Sequence, residues 1–416
     1  IAKRAQKVKQ ELELLGIKVN HVPVISACFS GGGYRAMIST AGFFTGLEKT
    51  GLSKLLSYAS ALSGSTWTLA PWTCKNCSLS DFKTNLQKRV ELGLGAIQNP
   101  VQLKQFTDAL IDKLINLQPI TPVDIYGGLL ADKLLNNFDP DRHAVRLSQS
   151  AHFVMTGERL MPIYTSIICN EEVYHWMEHT PFETGCSYLK SYVPTWAFGR
   201  KFSKGISKDY APEQSLGYLM GIWGSAFEIA VKDLIQSESD KIKQSSLFLY
   251  SILDHIDDTA VGDMRLAPAT VFNFSKGVRG SALKGEKYIS MVDAGLHFNL
   301  PLPPLLERKS DIIIIFDASA GNVGGMEFKK AYKWAIENGY KMPKFDMNDN
   351  TIEKKNITIL KDADPSLPII IYMPLTNETG AYKNGYLWDK QDYTSTFNFK
   401  YKKEQFDDLA GLPEFN

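Results

Sequence analysis

The chain has 416 residues, 44% of them hydrophobic and 22% charged, and carries a net charge of +1. That is ordinary globular composition, long enough for one large α/β domain or two smaller ones. The near-neutral balance gives no reason to expect nucleic acid, since a basic stripe is missing, and no run approaches the ~20 apolar residues of a membrane-spanning helix.

The first residues, IAKRAQKVKQELELLG, read as a charged amphipathic helix without the apolar core of a signal peptide. The chain starts at Ile1, not Met, which leaves open a targeting segment before it. An apolar run, Val22–Phe29, reads as a strand and is followed by the turn Ser30-Gly31-Gly32-Gly33. Met37, Ala41, Phe44 and Leu47 then fall at helical spacing, predicting a helix over roughly Tyr34–Thr50. A short strand is expected near Leu55–Ala61. From about Ser80 to Glu238 the pattern is mainly helical and rich in aromatics, an insertion or cap within a single domain spanning 1–416. Strands return at Lys287–Val292, Asp311–Ala318 and Pro368–Tyr372. This alternation predicts a mostly parallel sheet with helices on its faces.

Five cysteines (Cys28, Cys74, Cys77, Cys169, Cys186) are too few and scattered for a disulfide framework. Cys74-x-x-Cys77 lacks a second pair at zinc spacing. Sequons occur at Asn76, Asn273, Asn356 and Asn377, but sequons arise by chance, and an intracellular chain would not use them. A reducing, cytoplasmic compartment is the expectation.

The stretch Ala61-Leu-Ser-Gly-Ser65 has the small residues two before and two after a serine that a strained strand-to-helix turn demands. A-x-S-x-S is also an ordinary helix N-cap sequence. The glycine triplet upstream could aim bare backbone amides at an oxyanion, or be a flexible turn. The spacing of a dinucleotide loop and the Lys of a P-loop are both missing. Arg35 sits in the first turn of its helix, against the macrodipole. That placement suits an anion shared with the helix N-terminus, such as a substrate phosphate; a solvated surface arginine is the alternative.

A serine nucleophile needs a base. Past His297 there is no further histidine, so the order Ser…Asp…His of α/β-hydrolases is not met in the usual way. Met291-Val-Asp-Ala-Gly295 ends a strand in a carboxylate, at the sheet edge where open α/β sheets place their sites. Asp293 is therefore a candidate base acting directly on Ser63, or else a turn aspartate before glycine. His175 and His179, four apart, read as one face of a helix. Tyr188, Tyr192, Trp196, Phe198 and Phe202 alternate with Lys190, Arg200, Lys201, Lys204 and Lys208, either a membrane-facing belt or a core with solvated lysines between.

Taken together, SGGG-x-R, L-S-G-S-T-W and V-D-x-G, in this order and separation, resemble the catalytic domain of group IV cytosolic phospholipase A2 and fungal phospholipase B enzymes. The likeness extends through Thr180-Pro-Phe-Glu-Thr-Gly185, Gly221-Ile-Trp-Gly-Ser-Ala-Phe227, Asn299-Leu-Pro301 and Ser395-Thr-Phe-Asn-Phe399. It implies a three-layer, patatin-related α/β fold with a Ser–Asp dyad. On that resemblance Ser63 is the nucleophile and Asp293 the base, Gly32 and Gly33 supply the oxyanion hole, and Arg35 binds substrate phosphate. The implied activity is hydrolysis of phospholipid or lysophospholipid acyl esters at a membrane surface; a transacylase or a silent lipid-binding module shares the same fold. No cofactor or metal is expected, and the resemblance implies no particular protein partner. Ala61 departs from the family's first elbow glycine, no calcium-binding C2 domain is expected in this chain, and the acidic lid is reduced to Gln236–Lys241 and its flanks.

Overall fold

The structure, a computed structural model, describes residues 1–75, 77–93, 100–135, 141–170, 173–227 and 268–416. Gln236–Lys241 and His255 lie outside the described residues. The strands in chain order are β1 (Ile25–Phe29), β2 (Leu56–Ala61), β3 (Met161–Asn170), β4 (Val173–His179), β5 (Glu183–Cys186) and β6 (Ser191–Pro194). They continue with β7 (Phe202–Ser203), β8 (Ile206–Ser207), β9 (Ala269–Phe272), β10 (Tyr288–Asp293), β11 (Ile312–Asp317), β12 (Thr358–Leu360) and β13 (Ile369–Pro374). The chain forms two compact units, residues 1–91, 150–165 and 294–416, and residues 92–149 and 166–293.

In the first unit the strand order is β12-β13-β11-β1-β2, continued by the start of β3. All these pairs are parallel except β12 with β13. β1 is buried along its whole length, as expected of a central parallel strand covered on both faces. The Ile-rich runs Ile312–Ile315 and Ile369–Ile371 fill the register beside it. Over one face lies the helix Gly33–Lys49, whose Phe44 stacks on Phe29 at 4.6 Å and whose Phe43 stacks on Phe316 at 4.7 Å. The helix Lys403–Phe415 crosses it closely: a Cβ on Gly42 would fall 1.9 Å from the Ala410 carbonyl oxygen. Only glycine permits that approach of two backbones.

The second unit joins helices to antiparallel strands. The helices Pro122–Leu134 and Leu216–Trp223 meet through Gly127 and Gly217, where a Cβ on Gly127 would lie 2.5 Å from the Gly217 carbonyl. Lys113 is buried against Asp124 and lies 3.5 Å over the Tyr218 ring. β10 pairs antiparallel with β3 and β9, while β4, β5 and β6 form an antiparallel run. Among the described residues the helical reading of the middle of the chain holds between Leu79 and Met155, and strands predominate from Met161 to Ser207. His175 and His179 belong to strand β4, not to a helix. An i, i+4 pair shares a face in a strand as it does in a helix, so the spacing alone did not separate the two.

Candidate active site

The register of the first unit brings three strand ends together. Phe29 at the end of β1 stands opposite Ala61 of β2 and Phe316 of β11. The glycine triplet, Ser63 and the turn Asp317–Ser319 therefore leave the sheet at one edge, its carboxyl end, where open α/β sheets build sites.

Ser63 takes up a left-handed backbone, φ 50°, between β2 and the helix Thr66–Cys74. For a residue with a Cβ this conformation costs about 1–3 kcal/mol and persists only where surroundings enforce it. Here Ser65 Oγ accepts the Leu62 N–H and has the Phe29 and Leu62 carbonyls as the two acceptors within reach of its one hydrogen, and Thr66 Oγ1 donates to the Ser63 carbonyl at 2.5 Å. Gly64 lets the turn press on the glycine triplet: a Cβ there would sit 2.0 Å from the Gly33 oxygen. A Cβ on Gly31 would sit 2.7 Å from Ser63 Cβ. Gly32 (φ 139°) caps the next helix and Gly33 (φ 61°) begins it, both with positive φ. N–H groups at these positions have no acceptor inside the helix. Ser63, Gly32, Gly33 and Arg35 are thus gathered in one place.

Arg35 is 1% exposed, not a solvated arginine. Its Nε donates to the Ala318 carbonyl at 2.8 Å, and Nη1 to the Thr394 carbonyl and Thr396 Oγ1. Nη2 lies against the glycine turn, 2.3 Å from where a Cβ on Gly32 would be. Burial lowers the guanidinium to about 10, with Tyr401 and Asp317 pulling the other way. It remains a cation at neutral pH. Most of the charge is therefore answered by backbone carbonyls, and Nη2 is the corner that points toward the turn.

A buried polar network that the sequence reading did not assign holds the triplet from behind. Asn299 exchanges two hydrogen bonds with Gly31, accepting its N–H and donating to its carbonyl. Asn299 Nδ2 also donates to Ser319 Oγ at 2.6 Å, and Ser319 donates to Asp317. Asp317 further accepts from Asn322 and the Tyr372 hydroxyl. Burial pushes its carboxyl up, while the bonds from Ser319 and Tyr372 pull it down. Glu327 accepts the Asn299 N–H. The signal in the sequence was Asp317 at the end of the Ile-rich strand, the same strand-end position that drew attention to Asp293.

Asp293 belongs to the second unit. It ends β10, is 1% exposed, and donates its N–H to Ser225 Oγ at 3.0 Å. Its partner across the ladder is Ser166 of β3. His297 follows in the first unit, its ring 4.7 Å from that of Phe298. Of the aromatic and basic segment, Phe198 is in the core, while Tyr192 and Trp196 are about half exposed, with Arg200 over the Trp196 ring at 4.9 Å. No helix among the described residues is long and apolar enough to cross a membrane, and no group of three metal-ligating side chains occurs among them.

Both the sequence and the fold are similar to known proteins. Cytosolic phospholipase A2 zeta of Homo sapiens is 26% identical over 91% of this chain and 52% of its own length. Cytosolic phospholipase A2 epsilon of Homo sapiens is 24% identical over 90% of this chain and 50% of its own. The chain spans about half the length of the curated relatives it matches. The solved structure of human GIVD cytosolic phospholipase A2 superposes over the whole chain and 61% of its own, with a TM-score of 0.82 at 21% identity, which establishes a shared fold. A second structure of that protein, in complex with methyl γ-linolenyl fluorophosphonate, gives 0.76. The family model for the lysophospholipase catalytic domain matches residues 25–351, the span that runs from β1 through the glycine turn, Ser63 and Asp293, and the chain belongs to that family.

Proposed function

We propose that the chain is the catalytic domain of a serine acyl hydrolase acting on glycerophospholipids or lysophospholipids. The observation that carries this reading is Ser63 held at φ 50° on a strand-to-helix turn with the glycine triplet pressed against it. Ser63 Oγ attacks the ester carbonyl carbon, and its proton passes to the Asp293 carboxylate. The negative oxygen of the tetrahedral intermediate is met by the N–H groups of Gly32 and Gly33, fixed before the charge develops. Collapse expels the alcohol portion of the lipid, which takes the proton from Asp293, and leaves the acyl group on Ser63. Water then attacks the acyl carbon, giving its proton to Asp293; collapse releases the fatty acid and returns that proton from Asp293 to Ser63 Oγ. Arg35 Nη2, beside Gly32, receives the lipid phosphate.

The relatives are named for phospholipase A2 activity in the cytosol; the same setting, at a lipid surface, suits this chain. Tyr192 and Trp196, with Lys190 and Arg200 near them in sequence, are the exposed aromatics and cations that lipid headgroups favour.

The test uses a fluorophosphonate probe together with a phospholipid bearing different acyl chains at its two positions. Wild-type protein is expected to be labelled at Ser63 and to release fatty acid identifiable by mass spectrometry. Ser63→Ala is expected to lose labelling and roughly 10⁴-fold or more of the activity while remaining folded. Near-normal hydrolysis by Ser63→Ala would overturn the assignment.

A further inference from the structure

The second unit contains a buried histidine that the mechanism above does not use. His179 on β4 is fully buried, and its Nε2 lies 2.9 Å from Ser166 Oγ. Its Nδ1 has no hydrogen-bond partner among the described residues. Phe198 and Trp223 close around the ring, at 5.4 Å and 5.7 Å between centroids. Ser166 is itself fully buried and stands directly opposite Asp293. The N–H of Asp293 goes to Ser225 and not across the ladder. Asp293 and Ser166 are therefore a non-hydrogen-bonded pair, the kind in which facing side chains come closest, with Cβ atoms about 4.5–5.5 Å apart on one face.

The tautomer decides what this arrangement does. With the proton on Nδ1, a buried N–H would have no acceptor, and Ser166 would have to spend its hydroxyl hydrogen on Nε2. With the proton on Nε2, the ring donates to Ser166 Oγ, and the hydroxyl hydrogen is released for the carboxylate on the same face. A hydroxyl offered to an ionised carboxylate makes a charge-assisted bond, roughly twice as strong as a neutral one.

We infer that His179 and Ser166 are positioning residues for Asp293: His179 Nε2–H donates to Ser166 Oγ, and Ser166 in turn donates to the Asp293 carboxylate. This rests on Asp293 being the base. No proton is transferred along the chain; the relay fixes the carboxylate and stabilises its ionised form. Burial drives the His179 imidazole down to about 3, so the ring remains a neutral donor throughout the working range.

Among the described residues, the elements packed on β10 bring Tyr218 from the helix Leu216–Trp223, a phenol that burial pushes well above its ordinary value. β9 and the turn at Ser225 bring no titratable side chain, and Tyr288 stands at the far end of β10. On β4, Glu178 points to the opposite face, and His175 lies about 13 Å along the strand, stacked on Tyr188.

The experiment measures the pH dependence of kcat/KM, whose acidic limb reports the base in the free enzyme, for Ser166→Ala, His179→Phe and His179→Gln. Losing the donor from a buried carboxylate favours its protonated form. The limb is therefore expected to move upward by about one pH unit in Ser166→Ala and in the same direction, by less, in His179→Phe. His179→Gln, whose amide N–H reaches the Nε2 position, should keep the wild-type limb. Nitrogen NMR of histidine-labelled protein should show His179 neutral with its proton on Nε2 from pH 5 to 8. An unmoved limb in Ser166→Ala, or a proton on Nδ1, overturns the relay. Asp293→Asn is run beside these variants: if it keeps activity, the base assignment itself has failed, and the relay with it. If it is inactive while the limb stays in place in Ser166→Ala, only the relay has failed.

Discussion

At the scale of single residues, the two groups that need the sharpest tests are Arg35 and Asp293. Arg35 supports two backbone carbonyls, of Ala318 and Thr394, in a fully buried place. Removing it leaves those acceptors unpaired, at about 1–3 kcal/mol each. Arg35→Ala is therefore expected to lower the denaturation midpoint and to lose activity on every ester, which says little about phosphate. Arg35→Lys keeps the charge but not the fork. It should cost about tenfold more on a phospholipid than on an uncharged ester of the same acyl chain; equal losses would leave Arg35 as a clamp on the turn alone. For the base, Asp293→Asn preserves shape but cannot accept a proton and should be nearly inactive, while His297→Ala should stay within a few-fold of wild type. If both lose activity alike and both fold, an imidazole base with an orienting carboxylate replaces the dyad. These residues were visible in the sequence because a strained elbow and a strand-end acid leave local patterns. The Asn299 clamp was not, since Gly31 and Asn299 meet across 268 positions of chain and no local rule connects them.

At the scale of elements, the parallel strands were legible to within a few residues. Val22–Phe29 became Ile25–Phe29, Asp311–Ala318 became Ile312–Asp317, and Pro368–Tyr372 became Ile369–Pro374. Buried parallel strands are continuous apolar runs between turn residues, which is a strong signal. β3–β8 fell in the stretch read as helix because they are mixed in polarity, most are short and rich in aromatics, and alternation over four residues is easily lost. Helix packing leaves a fainter trace. Gly42 in mid-helix reads only as a weak helix former, yet it marks the crossing with the helix Lys403–Phe415. Gly42→Ala should gain about 1 kcal/mol of helix propensity and lose more by driving a Cβ to 1.9 Å from the Ala410 oxygen. The net expectation is a loss of about 1–3 kcal/mol in chemical denaturation. Gly46→Ala, where the nearest atom would be 3.2 Å away, should be milder. Equal effects would mean that the two helices slide apart without cost.

At the scale of the molecule, the two units interleave in sequence with no Pro- or Ser-rich linker between them, so their division could not be read from composition. One buried group ties the stability of the fold to pH. His179 is buried in the second unit with its imidazole driven by burial from 6.5 to about 3. Between those values the unfolded chain binds a proton that the folded chain refuses. The unfolded state then holds more protons, so stability rises with pH across the window and is lost as the pH falls through it. From pH 7 to 5 this one group should remove about 2 kcal/mol. Asp317, pushed up by burial, acts with the opposite sign in acid, but it lies in the first unit and cancels when two variants are compared. His179→Phe keeps an aromatic ring between Phe198 and Trp223 and has nothing to titrate. Urea denaturation at pH 7 and pH 5 should therefore show a smaller loss for His179→Phe than for wild type, by about that amount. An identical loss in both proteins would mean that the fold admits a proton to His179 after all, and that the ring is less enclosed than its neighbours make it.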